Sequence, residues 1–524
     1  MLLIAFVLFD FSFASSFSPH CSLPSEGTNF VFEPDSRGTL TIFWSCISII
    51  IICTWNILHL NIPEERPRPR NYLQKLWWLI VGSQTQVKWM LFTILVPEFL
   101  VGKAFNDWMA AKATAIDMSE LAAKDGVEWE GIHCYFCNMG GFVVDFSLLA
   151  RANLQENEKP SITPAPTSNQ SILVEESITT TQPVQILEPE LSSAKSKEDR
   201  VQRTLIQVVN QVLGNPERVS RTQEINLSRM MHTQWALDGC QMAYARSEGI
   251  IASLPKVPAR DLEKLNKGDA LIKFLAVIQV LWLIIQLIAR KVVGLPSSQL
   301  EISTLAFSAS SLITYSFFWN RPRGVTTVIT VPAVRFPSVQ DLLYLSRNGP
   351  RYLWTGPRVQ GKTYGERDLV RIPNDAFPDI WNVIPYSKES CLYNLTGGNE
   401  EVLSSVFGTI IGGTIFGGLH CLAWNLHFPS HTEKIMWRVC SILITALPTS
   451  SIPFIILWAR YNGIEVDQVP ISPWKRHLVA SVLLLFFAIP YIVSRFFLIV
   501  GIFRSLFFLP SEAFIDTWSA ILPH

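Results

Sequence analysis

The chain has 524 residues, 49% of them hydrophobic and only 16% charged, and its 43 basic residues equal its 43 acidic ones. That balance lacks the basic excess that binding a phosphate backbone needs, so no nucleic-acid partner is expected. Nine cysteines are scattered without a disulfide framework, and 17 tryptophans recur near the ends of apolar runs, as in the aromatic belts of membrane proteins.

Residues 1–16 open with MLLIAFVLFDFSFAS, too short to span a bilayer and followed by small residues, so they read as a signal peptide or signal-like segment. The N-terminal membrane region, 17–149, holds an apolar run at 39–60 and a second, shorter one at 89–105. Five more runs of similar character lie at 270–288, 300–319, 405–426, 435–458 and 478–502. Roughly 17–25 apolar residues cross a bilayer as a helix, and irregular spacers exclude a β-barrel. The predicted fold class is therefore all-α, a polytopic transmembrane bundle of about seven to eight spans, with a disordered insertion and cytoplasmic loops.

Charge sets the sidedness. Arg66, Arg68, Arg70 and Lys75 follow the first run, Arg321 and Arg323 follow the fourth, and Arg460, Lys475 and Arg476 separate the last two. All of these want the cytoplasm. An extra crossing at 132–149, IHCYFCNMGGFVVDFSLL, reconciles them as eight crossings with both termini lumenal. A six-crossing version, in which 89–149 dips in and returns as a re-entrant hairpin, gives the same sidedness elsewhere.

Residues 150–200 are rich in Ser, Thr, Pro, Gln and Glu, and disorder is expected there. Region 201–268 turns helical and amphipathic, with Leu205, Val208, Val209 and Val212 at turn spacing; it suits the membrane surface or the underside of the bundle. The transmembrane hairpin 269–320 precedes a proline-punctuated cytoplasmic loop, 321–402, and then the C-terminal membrane region, 403–524. Within that loop, 356–363 reads GPRVQGKT, a literal phosphate-loop match. Pro357 removes an amide from it and no strand leads in, so nucleotide is not expected. Sequons occur at Asn169, Asn226 and Asn394, all on the cytoplasmic side of this topology.

Ionisable residues at membrane depth carry the functional signal, because burying them unpaired is costly. Glu98 follows Pro97 inside KWMLFTILVPEFLVGKAFNDW, with Lys103 and Asp107 farther along. Glu98, Asp145 and Asp107 are the candidate catalytic acids. His133, His420 and Arg495 are candidate binding residues, Arg495 needing an acidic partner such as Glu98 or Asp145. His133, Cys134 and Cys137 form half a metal site that His420 and Cys421 complete only if two helices touch; no metal or other cofactor is assigned. Glycines at 408, 412, 413, 417 and 418 read first as a packing face.

The segments RGTLTIFWSCISIIIICTWNILHLNIP, HCYFCNMGGFVVDF, GLHCLAWNLHFPSHTEKIMWR and SLFFLPSEAFIDTWSAILPH, with the Glu98 segment above, resemble a large family of multi-pass membrane proteins of filamentous fungi. The likeness runs through nearly all the chain outside 150–200. It implies a fungal source and brings no catalytic residue with it; the expected location is the endomembrane system or plasma membrane. The expected function is membrane-embedded proton transfer on a lipophilic, terpenoid-like metabolite, with the lipid bilayer as the other partner. Transport of ions or small molecules, or a scaffold role, is the alternative.

Overall fold

The computed structural model describes residues 37–63, 71–147, 149, 188–214, 221–264, 269–352, 371–378, 400–464 and 473–515. The expected leader at 1–16, the phosphate-loop match, Asn169, Asn394 and most of the 150–200 insertion lie outside the described residues.

Helix α1 spans Thr39–Asn56, α2 Tyr72–Leu95, α3 Pro97–Asp125 and the short α4 Gly131–Asn138, followed by strand β1, Phe142–Asp145. Next come α5 Glu188–Leu213, α6 Arg221–Arg229, β2 Gln234–Ala236, α7 Gly239–Ser247 and α8 Ala259–Lys264. Helices α9 Asp269–Val293 and α10 Gln299–Phe317 lead to β3 Ile329–Pro332, α11 Val339–Arg347, β4 Arg351–Tyr352 and β5 Ala376–Phe377. The last helices are α12 Glu400–His420, α13 His431–Ile464 and α14 Pro473–Ser505.

Among the described residues, three helices are long and apolar enough to cross a membrane: Thr39–Asn56, Phe274–Val293 within α9, and Leu485–Phe508 running through the end of α14. Only 33%, 28% and 22% of these windows are buried by the rest of the protein. Trp44, Phe274, Ile278, Leu281, Phe486 and Val493 face outward, the kind of apolar exposure that marks a membrane-facing or protein-binding surface. The inward faces build one core from Ile42, Ile50, Leu300, Phe307, Phe416, Trp437, Ile444, Leu498 and Ile502.

The ends of the bundle are marked by polar contacts. At one end Arg37 pairs with Glu301, Arg290 donates to the carbonyls of Pro296, Ala513 and Ile515, and Arg504 meets Glu433 at 3.2 Å. Glu301 also closes a capping box with Ser298 at the start of α10. At the other end sits a head with its own core.

The head draws on three separated stretches. Phe136, Phe142, Val144 and Phe146 pack with Leu205, Val209, Trp235 and Met242, and with Val331, Leu342 and Leu345. At its centre β1 pairs antiparallel with β2 and parallel with β3. The all-α expectation is therefore corrected: the protein is mostly helical and carries a three-stranded sheet and a two-stranded one. The run at 132–149 is no crossing. It is one short helix, a left-handed turn at Gly140 with φ of 80°, and the central strand of that sheet, apolar because both faces of the strand are covered.

The run at 89–105 is also not one span, because Val96 leaves helical geometry and Pro97 starts a new helix. Trp89 stacks on Phe99 at 6.5 Å between ring centres, whereas ten residues of straight helix would separate them by about 15 Å. The chain turns back on itself there. A count of seven to eight spans loses two of its members for these reasons. The expectation of disorder to residue 200 is corrected as well, since α5 begins at Glu188. Leu205, Val209 and Val212 of that helix are buried in the head rather than laid on a surface.

Helix α3 is about 43 Å long and belongs to both bodies. Its first turns lie against α12, while Met118 and Ala122 sit in the head core. The α12 contact depends on missing side chains: a Cβ on Gly408 would lie 2.6 Å from Phe105 Cβ and 2.9 Å from Gly102 Cα. Gly417 meets the Thr445 backbone of α13 as closely, whereas a Cβ on Gly418 would touch nothing.

Gly408→Ala is expected to destabilise the protein by about 1–3 kcal/mol, the usual cost of overpacking. Gly418→Ala serves as its neutral control; equal thermal midpoints for the two variants in detergent would refute the packing role. A second expectation concerns acid. Asp125 accepts two bonds from Arg246, at 2.6 and 2.8 Å, and one from the Leu254 amide, and the Arg246 bond holds its carboxyl below the usual range. The stabilisation is full above about pH 4, the ordinary carboxylate value, and disappears as pH falls through the lower folded value. Asp125→Asn should flatten this part of the acid stability curve, and an unchanged curve would exclude the linkage.

Candidate functional site

The break between α2 and α3 creates the site. A helix end leaves its last carbonyls without amide partners, and inside an apolar bundle something else must bond them. Arg495 of α14 does so, its Nε donating to the Leu95 carbonyl at 2.9 Å and its Nη2 to that of Ile94 at 3.2 Å. The guanidinium lies 3.9 Å above the Phe416 ring and 5.6 Å from that of Phe307, contacts that suit a buried cation.

Glu98 stands just past the break, in the first turn of α3, where the helix dipole favours negative charge. It is 2% exposed, and neither carboxyl oxygen has a hydrogen-bond partner. Gly412 and Gly413 of α12 cover its backbone side; a Cβ on Gly412 would come 3.1 Å from Glu98 Cα. Arg495 is near enough to act on Glu98 electrostatically without forming an ion pair with it. His420 lies one turn beyond Phe416, where its Nδ1–H donates to the Phe416 carbonyl at 2.8 Å and Trp437 donates to its own carbonyl. Glu98, Arg495 and His420 are thus gathered in one part of the bundle.

The other singled-out residues lie elsewhere. Asp107 is locked between Arg321 and Lys103, the latter at 3.5 Å, and Lys103 also donates to the Ala376 carbonyl at 2.7 Å. Arg321 reaches on to Asn61 at 2.8 Å, and Asn61 is held by Asn374 and Pro373. This buried network joins bundle to head, with no acceptor atom of Asp107 offered to a substrate. Asp145 is in β1, where it receives the Ser147 amide and the Gln234 side chain, and so it is no partner for Arg495.

His133 accepts the Glu130 amide on Nδ1, and its Nε2–H donates to the Val257 carbonyl at 2.8 Å. Both nitrogens are thereby spent on structure, and the residue is fully buried in the head. Burial pushes the Cys134 thiol up to about 12 and the Cys137 thiol well above its ordinary value, so both stay protonated. His420 and Cys421 are in the bundle, so the two halves of the considered metal site do not meet. Asn226, the described sequon, is buried: its amide donates to the Ser346 carbonyl and accepts from Tyr352.

Sequence reasoning missed the Asp107–Arg321–Asn61 junction. Arg321 looked like a topology-setting surface charge, yet it is 3% exposed. Its only sequence signal is its place immediately after an apolar run. A small cleft beside the junction, lined by His59, Asn61, Trp89, Lys103 and Asn374, has a volume of about 10 Å³, room for a single water.

Asp107→Asn leaves Arg321 and Lys103 buried without their counter-charge, and a loss of about 3–5 kcal/mol is expected. Limited proteolysis should then cut the head away from the bundle sooner; cleavage at the parental rate would exclude the lock.

No curated protein and no solved structure matches the chain. A family model does match, over residues 3–214 and 243–344, which takes in α1 to α5 on one side and runs from within α7 to within α11 on the other. The matched portions cover both the Glu98 turn and most of the head, more than half of the chain, so the protein belongs to the Family of unknown function (DUF8562).

Proposed function

We propose that this is an integral, multi-pass membrane protein of a filamentous fungus, in which Glu98 exchanges a proton with a lipophilic, terpenoid-like molecule held inside the bundle. Six helices, α1, α9, α10, α12, α13 and α14, run between the two polar ends and supply six crossings, while α2 and the start of α3 form a re-entrant hairpin. The head then lies at the end of the bundle that carries Arg321 and Arg323, the cytoplasmic end by the distribution of basic residues.

The observation that carries the reading is the Glu98 carboxyl, buried with both oxygens unpartnered. An orphaned buried acid costs stability, and such groups recur where proton chemistry is done. The arrangement also weighs among mechanisms. Coupling cations in transporters with broken helices sit on the freed carbonyls, but here Arg495 already occupies those of Ile94 and Leu95. The same fixed positive charge opposes a carbocation beside Glu98 and favours an intermediate in which oxygen gains negative charge.

Untargeted comparison of lipid-soluble metabolites tests this in a deletion strain carrying either the parental chain or Glu98→Gln. A precursor that accumulates in the deletion strain should be consumed by the parental chain and not by Glu98→Gln. Unchanged total pools with an altered distribution across the membrane would replace proton-transfer chemistry with transport.

A further inference from the structure

Resting on that reading, we infer that the place between the Glu98 carboxyl and the Arg495 guanidinium is a binding site for the hydroxyl group of a lipophilic alcohol. Two opposite charges buried in one apolar bundle normally collapse into an ion pair. Here the guanidinium is turned to two backbone carbonyls and the carboxyl bonds nothing. One turn before Arg495 on the same helix, the Tyr491 hydroxyl is likewise buried without a partner. The bundle therefore offers an unfilled acceptor within electrostatic reach of a fixed positive charge.

Chemistry narrows the occupant. An amine would arrive as a cation and be repelled by Arg495. A carboxylic acid would ionise beside Arg495 and meet Glu98 as a second anion. A ketone or ether has no hydrogen to give Glu98 in its ionised form, the form that faces a ligand as an acceptor, and a hydrocarbon leaves both groups as they are. A hydroxyl donates to the carboxyl and presents its lone pairs to the guanidinium while remaining neutral, which suits a ligand that must enter from lipid.

The way in is lateral. Leu95, whose carbonyl Arg495 caps, is 40% exposed, and Ile492 and Phe496, the neighbours of Arg495 on α14, are about half exposed. The sequence neighbours of the Arg495–Leu95 contact are thus open to the outside of the bundle, on the side where a lipophilic ligand would enter. The rings of Phe307 and Phe416 form an apolar wall beside the guanidinium.

The test is photolabelling of the purified full chain in detergent with a diazirine-bearing long-chain alcohol and with its methyl ether. The alcohol should label peptides containing Glu98 or Arg495 about fivefold more than the ether, the ratio that one hydrogen bond of about 1 kcal/mol supplies. Excess hexadecanol should compete, and Glu98→Leu should bring alcohol labelling down to the ether level. Equal labelling by the two probes, or full alcohol preference in a Glu98→Leu protein that elutes like the parent, overturns the site. Should that variant not fold, the alcohol-to-ether ratio of the parental chain decides. Glu98-dependent conversion without alcohol preference defeats this inference and leaves the proposed function standing; alcohol preference without any Glu98-dependent change in metabolites does the reverse.

Discussion

A helix that breaks inside an apolar bundle must find donors for the carbonyls it frees, and at Val96–Pro97 that donor is Arg495. The arginine comes from α14, some 400 residues away, so this contact ties the first part of the bundle to the last. Without it two carbonyls would be stranded in a region that lacks water, at several kcal/mol each. The direction of α3, the depth of Glu98 and the approach of α12 all follow from where that break is held.

From the break onward α3 acts as the strut of the molecule. Its glycine-lined contact with α12 replaces side-chain interdigitation by close backbone approach. Farther along, Lys103 and Asp107 leave the bundle environment and enter the junction with Arg321 and Asn61. A buried charge network of this kind contributes little net stability but is specific, because any other docking of head on bundle would leave ions unpaired. Glu98 lies on the same helix, so the head and the orphaned acid share one rigid element.

Some of this was written locally. The run at 39–60 is long, almost uncharged and unbroken, and it forms an apolar helix on those grounds alone. Glu98, directly after Pro97 in a hydrophobic stretch, stands out in the sequence as an acid, although hydropathy alone reads 89–105 as one run. The run at 132–149 misled because a central strand covered on both faces is as apolar as a membrane span, and hydropathy does not distinguish lipid from protein as the covering material. The head escaped notice for a related reason: its core combines Phe142, Leu205 and Leu342, and no window of sequence contains all three.

The sequence by itself determined that most of the chain is helical, that several runs are apolar enough to span a bilayer, and that a titratable acid follows a proline within a hydrophobic stretch. These are consequences of composition and short-range spacing. Only the tertiary structure decided which charges answer one another. Arg321 and Asp107 became partners, Asp145 and His133 became structural, and Glu98 was left facing Arg495 with its oxygens unfilled. A side chain's chemistry is set by what surrounds it after folding, and for each of these residues those surroundings come largely from distant parts of the chain.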